Sequence, residues 1–123
     1  MPRTSADNVT YNGDEVVSGY VIGTGAEIKI YTGFYPKNIK ILNTEGLCTL
    51  EWIKNMDAGA GLKIVDSGSG TTDISFITTG GITIMGPGDY DSTKTPYAGV
   101  GFIIGTDSDI NVSGEDLYFV AYR

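Results

Sequence analysis

The chain contains no histidine. That absence removes Ser-His-Asp and Cys-His catalysis, and with them the imidazole ligands of most zinc sites. There is a single cysteine, Cys48, so no disulfide can form within the chain. Cys48 sits in an apolar alternation without a histidine to activate it. It is expected to pack as a small apolar residue in a reducing compartment. Positive charge is scarce: 8 Lys and Arg stand against 15 Asp and Glu, for a net charge of −7. This balance favours solubility and argues against direct binding to nucleic acid or to an anionic membrane. No apolar run approaches transmembrane length. Residues Met1–Asp7 lack the apolar stretch of a signal peptide, so secretion by that route is not expected. For the same reason the sequons Asn8-Val9-Thr10 and Asn111-Val112-Ser113 are expected to stay unmodified. Long runs of Ala, Leu, Glu and Lys are missing, and no segment joins helix capping to a 3.6-residue period.

What is present is a β-forming composition. Val, Ile, Thr, Tyr and Phe dominate the apolar runs, and the 18 glycines punctuate them. A length of 123 residues implies one domain, large enough for a hydrophobic core without staples. The best-patterned stretch runs from Gly33 to Met56. In it, Ile39 and Ile41 alternate with Lys40. Cys48, Leu50 and Trp52 then occupy one face, with Thr49 and Glu51 on the other. Asn43-Thr44-Glu45-Gly46 supplies the turn, with Gly46 as the residue suited to positive φ, so a hairpin is expected over Lys37–Lys54. Trp52, the only tryptophan, belongs in the core.

Other strands follow from the same period of two. They are expected over Val16–Ile22, over Glu27–Tyr31 with Ile28 and Ile30 inward, and over Leu62–Val65. Ile74, Phe76 and Thr78 share a face of the next strand. Thr79-Gly80-Gly81 is expected to turn it into Ile82–Ile84 as a second hairpin. Val100, Phe102 and Ile104 alternate, as do Ile110 and Val112. In the last strand Leu117, Phe119 and Ala121 face one way, and Tyr118, Val120 and Tyr122 the other. Bulk on both faces places that strand in the middle of the sheet or under another subunit. The spacing of strands and turns predicts an all-β chain: a single-domain antiparallel β-sandwich or small barrel, jelly-roll-like, over residues 15–123. Residues 1–14 are polar, end near the turn pair Asn12-Gly13, and are expected to form a flexible or partner-ordered N-terminal arm. Gly86–Ala98 is the longest segment without periodicity and reads as a functional or mobile loop.

Candidate chemistry is thin. Asp107-x-Asp109-x-Asn111 imitates the start of a calcium loop, but the required Gly and Glu are replaced by Val112 and Tyr118. A turn with solvated carboxylates is the expectation, and no metal or cofactor is assigned. Gly23-x-Gly25 and Gly68-x-Gly70 are incomplete nucleotide fingerprints and read as turns. No convergent carboxylate pair for a glycosidase-like hydrolase can be named, so no catalytic residue is assigned. Tyr90 and Tyr97 suit either a protein or glycan interface or simple anchoring of their own loop.

Gly33-Phe34, Pro36, Ile39, Asn43, Glu51-Trp52 and Met56 form a pattern that resembles small tailed-bacteriophage structural proteins. Gly101-Phe102-Ile103-Ile104-Gly105, Asn111, Ser113-Gly114-Glu115, Tyr118 and Ala121-Tyr122-Arg123 are similar to the same group's C-terminal signature. Gly80-Gly81-Ile82-Thr83 fits between them, and together they cover about half of the chain. The resemblance implies a β-rich, oligomeric, non-enzymatic virion protein of the capsid decoration, or cement, type. Its implied partners are the major capsid protein and itself, as a homotrimer. Its implied place is the capsid surface of the virion, after synthesis in the host cytoplasm. Partner contacts are then expected at Tyr90, Pro96 and Tyr97 in the long loop and at Tyr11 and Arg3 on the arm. The alternative is a binding module of a tail or head fibre that recognises protein or cell-surface glycan, although the chain lacks heptads for a stalk.

Overall fold

The structure, a computed structural model, describes residues 9–12, 16–66, 70–86 and 100–123, with the backbone alone for 9–12. The described chain is all β. Its strands are β1 (Val9–Asn12), β2 (Val16–Ile22), β3 (Ile28–Tyr31), β4 (Asn38–Asn43), β5 (Cys48–Ile53), β6 (Ala60–Asp66), β7 (Thr72–Ile84), β8 (Gly101–Ile104) and β9 (Asp116–Tyr122). They form one sheet in the order β1-β2-β9-β4-β5-β6-β7-β8-β3. Every described pairing is antiparallel.

The order itself forces curvature. β4 to β8 run as a meander, while β2 and β3, consecutive in the chain, stand seven strand spacings apart in the sheet. Laid flat, that separation is about 34 Å. Residues 23–27 alone join the two strands, and a chain of that length reaches only about 20 Å. The sheet therefore curls to bring β2 and β3 within that reach, giving a half-barrel within the sandwich-or-barrel class expected from the pattern.

The core fills the concave side. Alternate residues of β4, β5 and β9 (Ile39 and Ile41; Cys48, Leu50 and Trp52; Leu117, Phe119 and Ala121) join Val17, Ile30, Ile82, Phe102 and Ile104 in one buried cluster. Phe102 meets Phe119 edge-on, with ring centroids 5.7 Å apart and planes at 73°. Their strands are five positions apart in the sheet, so this contact is made across the curl. A smaller buried cluster joins Tyr31, Met85 and Ile103. β9 lies between β2 and β4, as bulk on both of its faces requires.

The hairpin over Lys37–Lys54 is present in register, Asn38 opposite Ile53 and Asn43 opposite Cys48. Its turn differs in detail. Leu47, not Gly46, takes positive φ, at 51°. The Asn43 carboxamide oxygen accepts from the amides of Glu45 and Gly46 at 3.1 and 2.9 Å and so shapes the turn.

Two periodicities mislead. The expected hairpin of 74–78 with 82–84 is instead one strand, β7, that bends without reversing. Its first part pairs with β6 and its last three residues pair with β8. Between them the register jumps: Ile77 lies opposite Gly61, and Ile82 opposite Ala60. Gly80 takes φ of 77°, and a Cβ on Gly81 would overlap the Ala60 carbonyl oxygen. The glycine pair turns the sheet's corner. Ile110 lies in a turn of the β8–β9 connection and Val112 in irregular chain after it, neither in a strand. Their alternation reflects Ile110 filling the core from a loop. Within the expected arm, Val9–Asn12 pairs with β2 as an edge strand of the sheet. Residues 1–8 and 13–15 lie outside the described residues.

Candidate functional site

One end of the half-barrel is closed by two buried asparagines. The Asn111 carboxamide oxygen accepts from the amides of Thr24 and Gly25 at 3.0 and 3.1 Å. Its nitrogen donates to the carbonyls of Ala26 and Gly105 at 2.7 and 2.8 Å. All four of its hydrogen-bonding positions are used, and the short β2–β3 connection is tied to the longer β8–β9 connection through one side chain. Asn43 does related work for the β4–β5 turn. Beyond its two accepted bonds, its nitrogen donates to the Ile110 carbonyl at 3.1 Å and the Glu115 carboxylate at 2.8 Å. Burial of Asn111 at 2% exposure also closes its sequon to a glycosylating enzyme. The turn at Asn43 was legible in the sequence, but its bonds to Ile110 and Glu115 and the whole role of Asn111 were not, because they join segments far apart in the chain.

Of the two carboxylates expected to be solvated, Asp109 remains half exposed at 49%, while Asp107 is largely buried at 10%. Lys63, the register partner of Leu50 and so on the concave side, reaches both. Its ammonium lies 3.0 Å from Asp107 Oδ2 and 2.7 Å from Asp109 Oδ2. Asp107 Oδ1 also accepts from the amides of Asp109 and Ile110 at 2.9 and 3.3 Å. This is a turn locked onto a lysine, and the ammonium holds the place between the carboxylates. Burial pulls the Lys63 ammonium down, but hydrogen bonds and charge from Asp109 and Asp107 outweigh it and lift the group above its ordinary 10.5.

Cys48 faces the core at 2% exposure. Burial first, then the negative charge of Asp107 and Asp109, pushes its thiol up to about 11, against a smaller downward pull from Lys63. A thiol so raised is a poor nucleophile at neutral pH.

The feature with reach beyond the chain is the convex face of β2-β9-β4-β5-β6-β7. Three rows of register-paired side chains point outward there, beside the outward carboxylates of Asp116 on β9 and Asp66 on β6. The first runs Tyr20, Tyr118, Leu42, Thr49, Ile64, Ile74. The second runs Ser18, Val120, Lys40, Glu51, Leu62, Phe76. The third runs Val16, Tyr122, Asn38, Ile53. An antiparallel sheet with one solvated face ordinarily alternates apolar inside with polar outside. Here the outside is apolar as well. Leu42, Ile53, Ile74, Phe76, Tyr118 and Tyr122 are each between 42% and 67% exposed. The Tyr20 and Tyr118 rings pack at 5.8 Å along the face. A cleft of about 410 Å³ dents it beside the β4–β5 turn, lined by Leu42, Leu47, Thr49 and Ile64 with Asp66 and Thr72 at its rim. Contiguous apolar surface of this kind marks a site of association.

Of the residues expected to touch partners, Arg3, Tyr90, Pro96 and Tyr97 lie outside the described residues. Tyr11 is in β1, where its backbone pairs with Val17. Among the described residues the exposed apolar surface lies on a face whose signal was partly visible, in the outward set Tyr118, Val120 and Tyr122. No protein-family model matches the chain, and no curated protein or solved structure matches it either.

Proposed function

We propose that this chain is a non-enzymatic structural protein of a tailed-phage virion, a decoration or cement protein that binds the assembled head shell and stabilises it. The observation that carries an assembly role is the apolar convex face of the sheet, which in the isolated chain leaves six large apolar side chains substantially exposed. The phage shell as the assembly is supported by the resemblance of the Gly33–Met56 and Gly101–Arg123 patterns. The state of the candidate chemistry supports a non-catalytic reading: the Asp107–Asp109 pair is engaged by Lys63, and Cys48 is a buried, protonated thiol. The partners are the major capsid protein and further copies of this chain. The protein acts on the capsid surface after synthesis in the host cytoplasm, and the acidic chain has no use for nucleic acid or membrane.

The test is addition of purified protein to shells that lack it. It should co-sediment with them at saturable stoichiometry and raise the temperature or force at which they rupture. Failure to bind shells, together with attachment to host cells or their surface glycans, would replace this reading with that of a fibre module.

A further inference from the structure

We propose that the free edge of β7, over Thr72–Ile77, takes up an extended polypeptide segment of a partner as an added strand, one that turns a lysine or arginine toward the concave side. This assigns a contact surface apart from the convex face, and it stands whether or not the assembly is a phage shell.

Backbone hydrogen bonding defines the edge. Over Thr72–Ile77, β7 pairs with β6 on one side, while β8 takes up only Ile82–Ile84. Among the described residues no strand lies on the other side of Thr72–Ile77. Alternation tells which groups are left over. The Asp66 amide donates to the Leu47 carbonyl at 3.0 Å, so Asp66, Ile64 and Leu62 aim their backbone groups at β5. Val65, Lys63 and Gly61 then serve β7, through their register partners Asp73, Ser75 and Ile77. The amides and carbonyls of Thr72, Ile74 and Phe76 are left facing away from the sheet. They form a row that another extended backbone complements, and no other backbone form does.

Side chains select the segment. On the convex side the edge is apolar and unguarded, with Ile74 and Phe76 at 67% and 57% exposure. An added strand would lay apolar residues beside them. The concave side is different. Asp73 and Ser75 point there, next to Val65 and Lys63. A cleft of about 490 Å³ opens between these residues and Asp109. Lys63 is already held by Asp107 and Asp109. Asp73, Asp107 and Asp109 thus stand against a single ammonium on this side among the described residues. Asp66, opposite Thr72 on the convex side, adds to the same sign. Because Asp73 aims its own backbone at β6, it would meet the added strand in a non-hydrogen-bonded pair, where side chains come closest. An inward carboxylate on a free edge turns away strands that would bury it unpaired. A strand with a cation at that place is the exception, since it supplies the charge that the site lacks. A second copy is not such a strand. Its own β7 brings Asp73 again, and each chain carries a net charge of −7.

The probe is a set of short synthetic peptides, blocked at both ends, in which valine alternates with threonine and lysine replaces each threonine in turn. Glutamate replacements are the controls. Labelled and titrated with the full chain, the best lysine peptide should bind at least about tenfold more tightly than its glutamate counterpart. Methylation of the peptide nitrogens that face β7 should abolish binding, and methylation of the alternate nitrogens should leave it intact. Docking on the convex apolar face would not distinguish the two. Asp73→Lys, at an exposed position, should reverse the order, so that the glutamate peptide binds more tightly. In hydrogen exchange the Ile74 and Phe76 amides should exchange fast in the free chain and slow when the lysine peptide is added. No binding by any lysine peptide, equal affinity for lysine and glutamate, indifference to which nitrogens are methylated, or an unchanged preference in Asp73→Lys would each overturn the proposal. So would Ile74 and Phe76 amides already protected in a self-associated chain, which would give the edge to a second copy.

Discussion

At the scale of single residues, the polar side chains inside this fold hold its connections rather than perform chemistry. Asn111 spans two connections with four hydrogen bonds. Replacing it with Ala leaves the buried Gly105 carbonyl and the part-buried Ala26 carbonyl and Thr24 and Gly25 amides without this partner and should cost about 2 kcal/mol, read as a fall in the denaturant midpoint at unchanged slope. A loss under about 1 kcal/mol would mean that water substitutes for the carboxamide. Lys63 and Cys48 make a second prediction, on pH. The Lys63 ammonium is held above its unfolded value of 10.5, so its contribution is whole below that pH and is lost as pH rises through the folded value. The Cys48 thiol titrates at about 11 folded against 9.0 unfolded. The unfolded chain ionises first, which draws stability down between those two values. Denaturant midpoints should therefore fall from pH 9 toward pH 11, and Cys48→Ala should flatten the early part of that fall. An identical pH profile for the wild type and Cys48→Ala would contradict the assignment of Cys48 as a buried thiol.

At the scale of elements, legibility followed locality. The β4–β5 hairpin was readable because its register, its turn and its buried face are all written within one stretch of chain. β2, β3 and β9 were readable for the same reason, each from its own alternation. β7 was misread because Gly80-Gly81 looks the same in a turn that reverses the chain and in a bend that carries it onward. What decides is whether the flanking segments pair with each other or with third strands, and here they pair with β6 and β8. The Ile110–Val112 alternation was misread because a loop residue can fill a core without belonging to a strand. The corner makes its own prediction. Gly81→Ala drives a methyl group into the Ala60 carbonyl and the Gly59 backbone, neither of which can rotate away. It should destabilise the fold by about 1–3 kcal/mol. The same change at Gly86, which has open space around its Cβ position, should be close to neutral. Equal melting temperatures for the two variants would remove the corner role from Gly81.

At the scale of the molecule, the pieces of the candidate face were visible while the face was not. Tyr118, Val120 and Tyr122 could be read as a bulky second side of one strand. Nothing local shows that they line up with Leu42 and Lys40 of β4, Ile64 and Leu62 of β6, and Ile74 and Phe76 of β7. That alignment follows from the sheet order, which sets β9 between β2 and β4. It has a thermodynamic consequence for the whole chain. If the native state is a pair that unfolds to two separate chains, its melting temperature depends on protein concentration by mass action. With an unfolding enthalpy of about 0.7 kcal/mol per residue summed over both copies, each tenfold rise in concentration should raise the midpoint by about 3 °C. A wild-type midpoint that stays flat over a hundredfold range would mean that the apolar face is borne in water by a stable monomer. Its burial would then have to come from the shell alone.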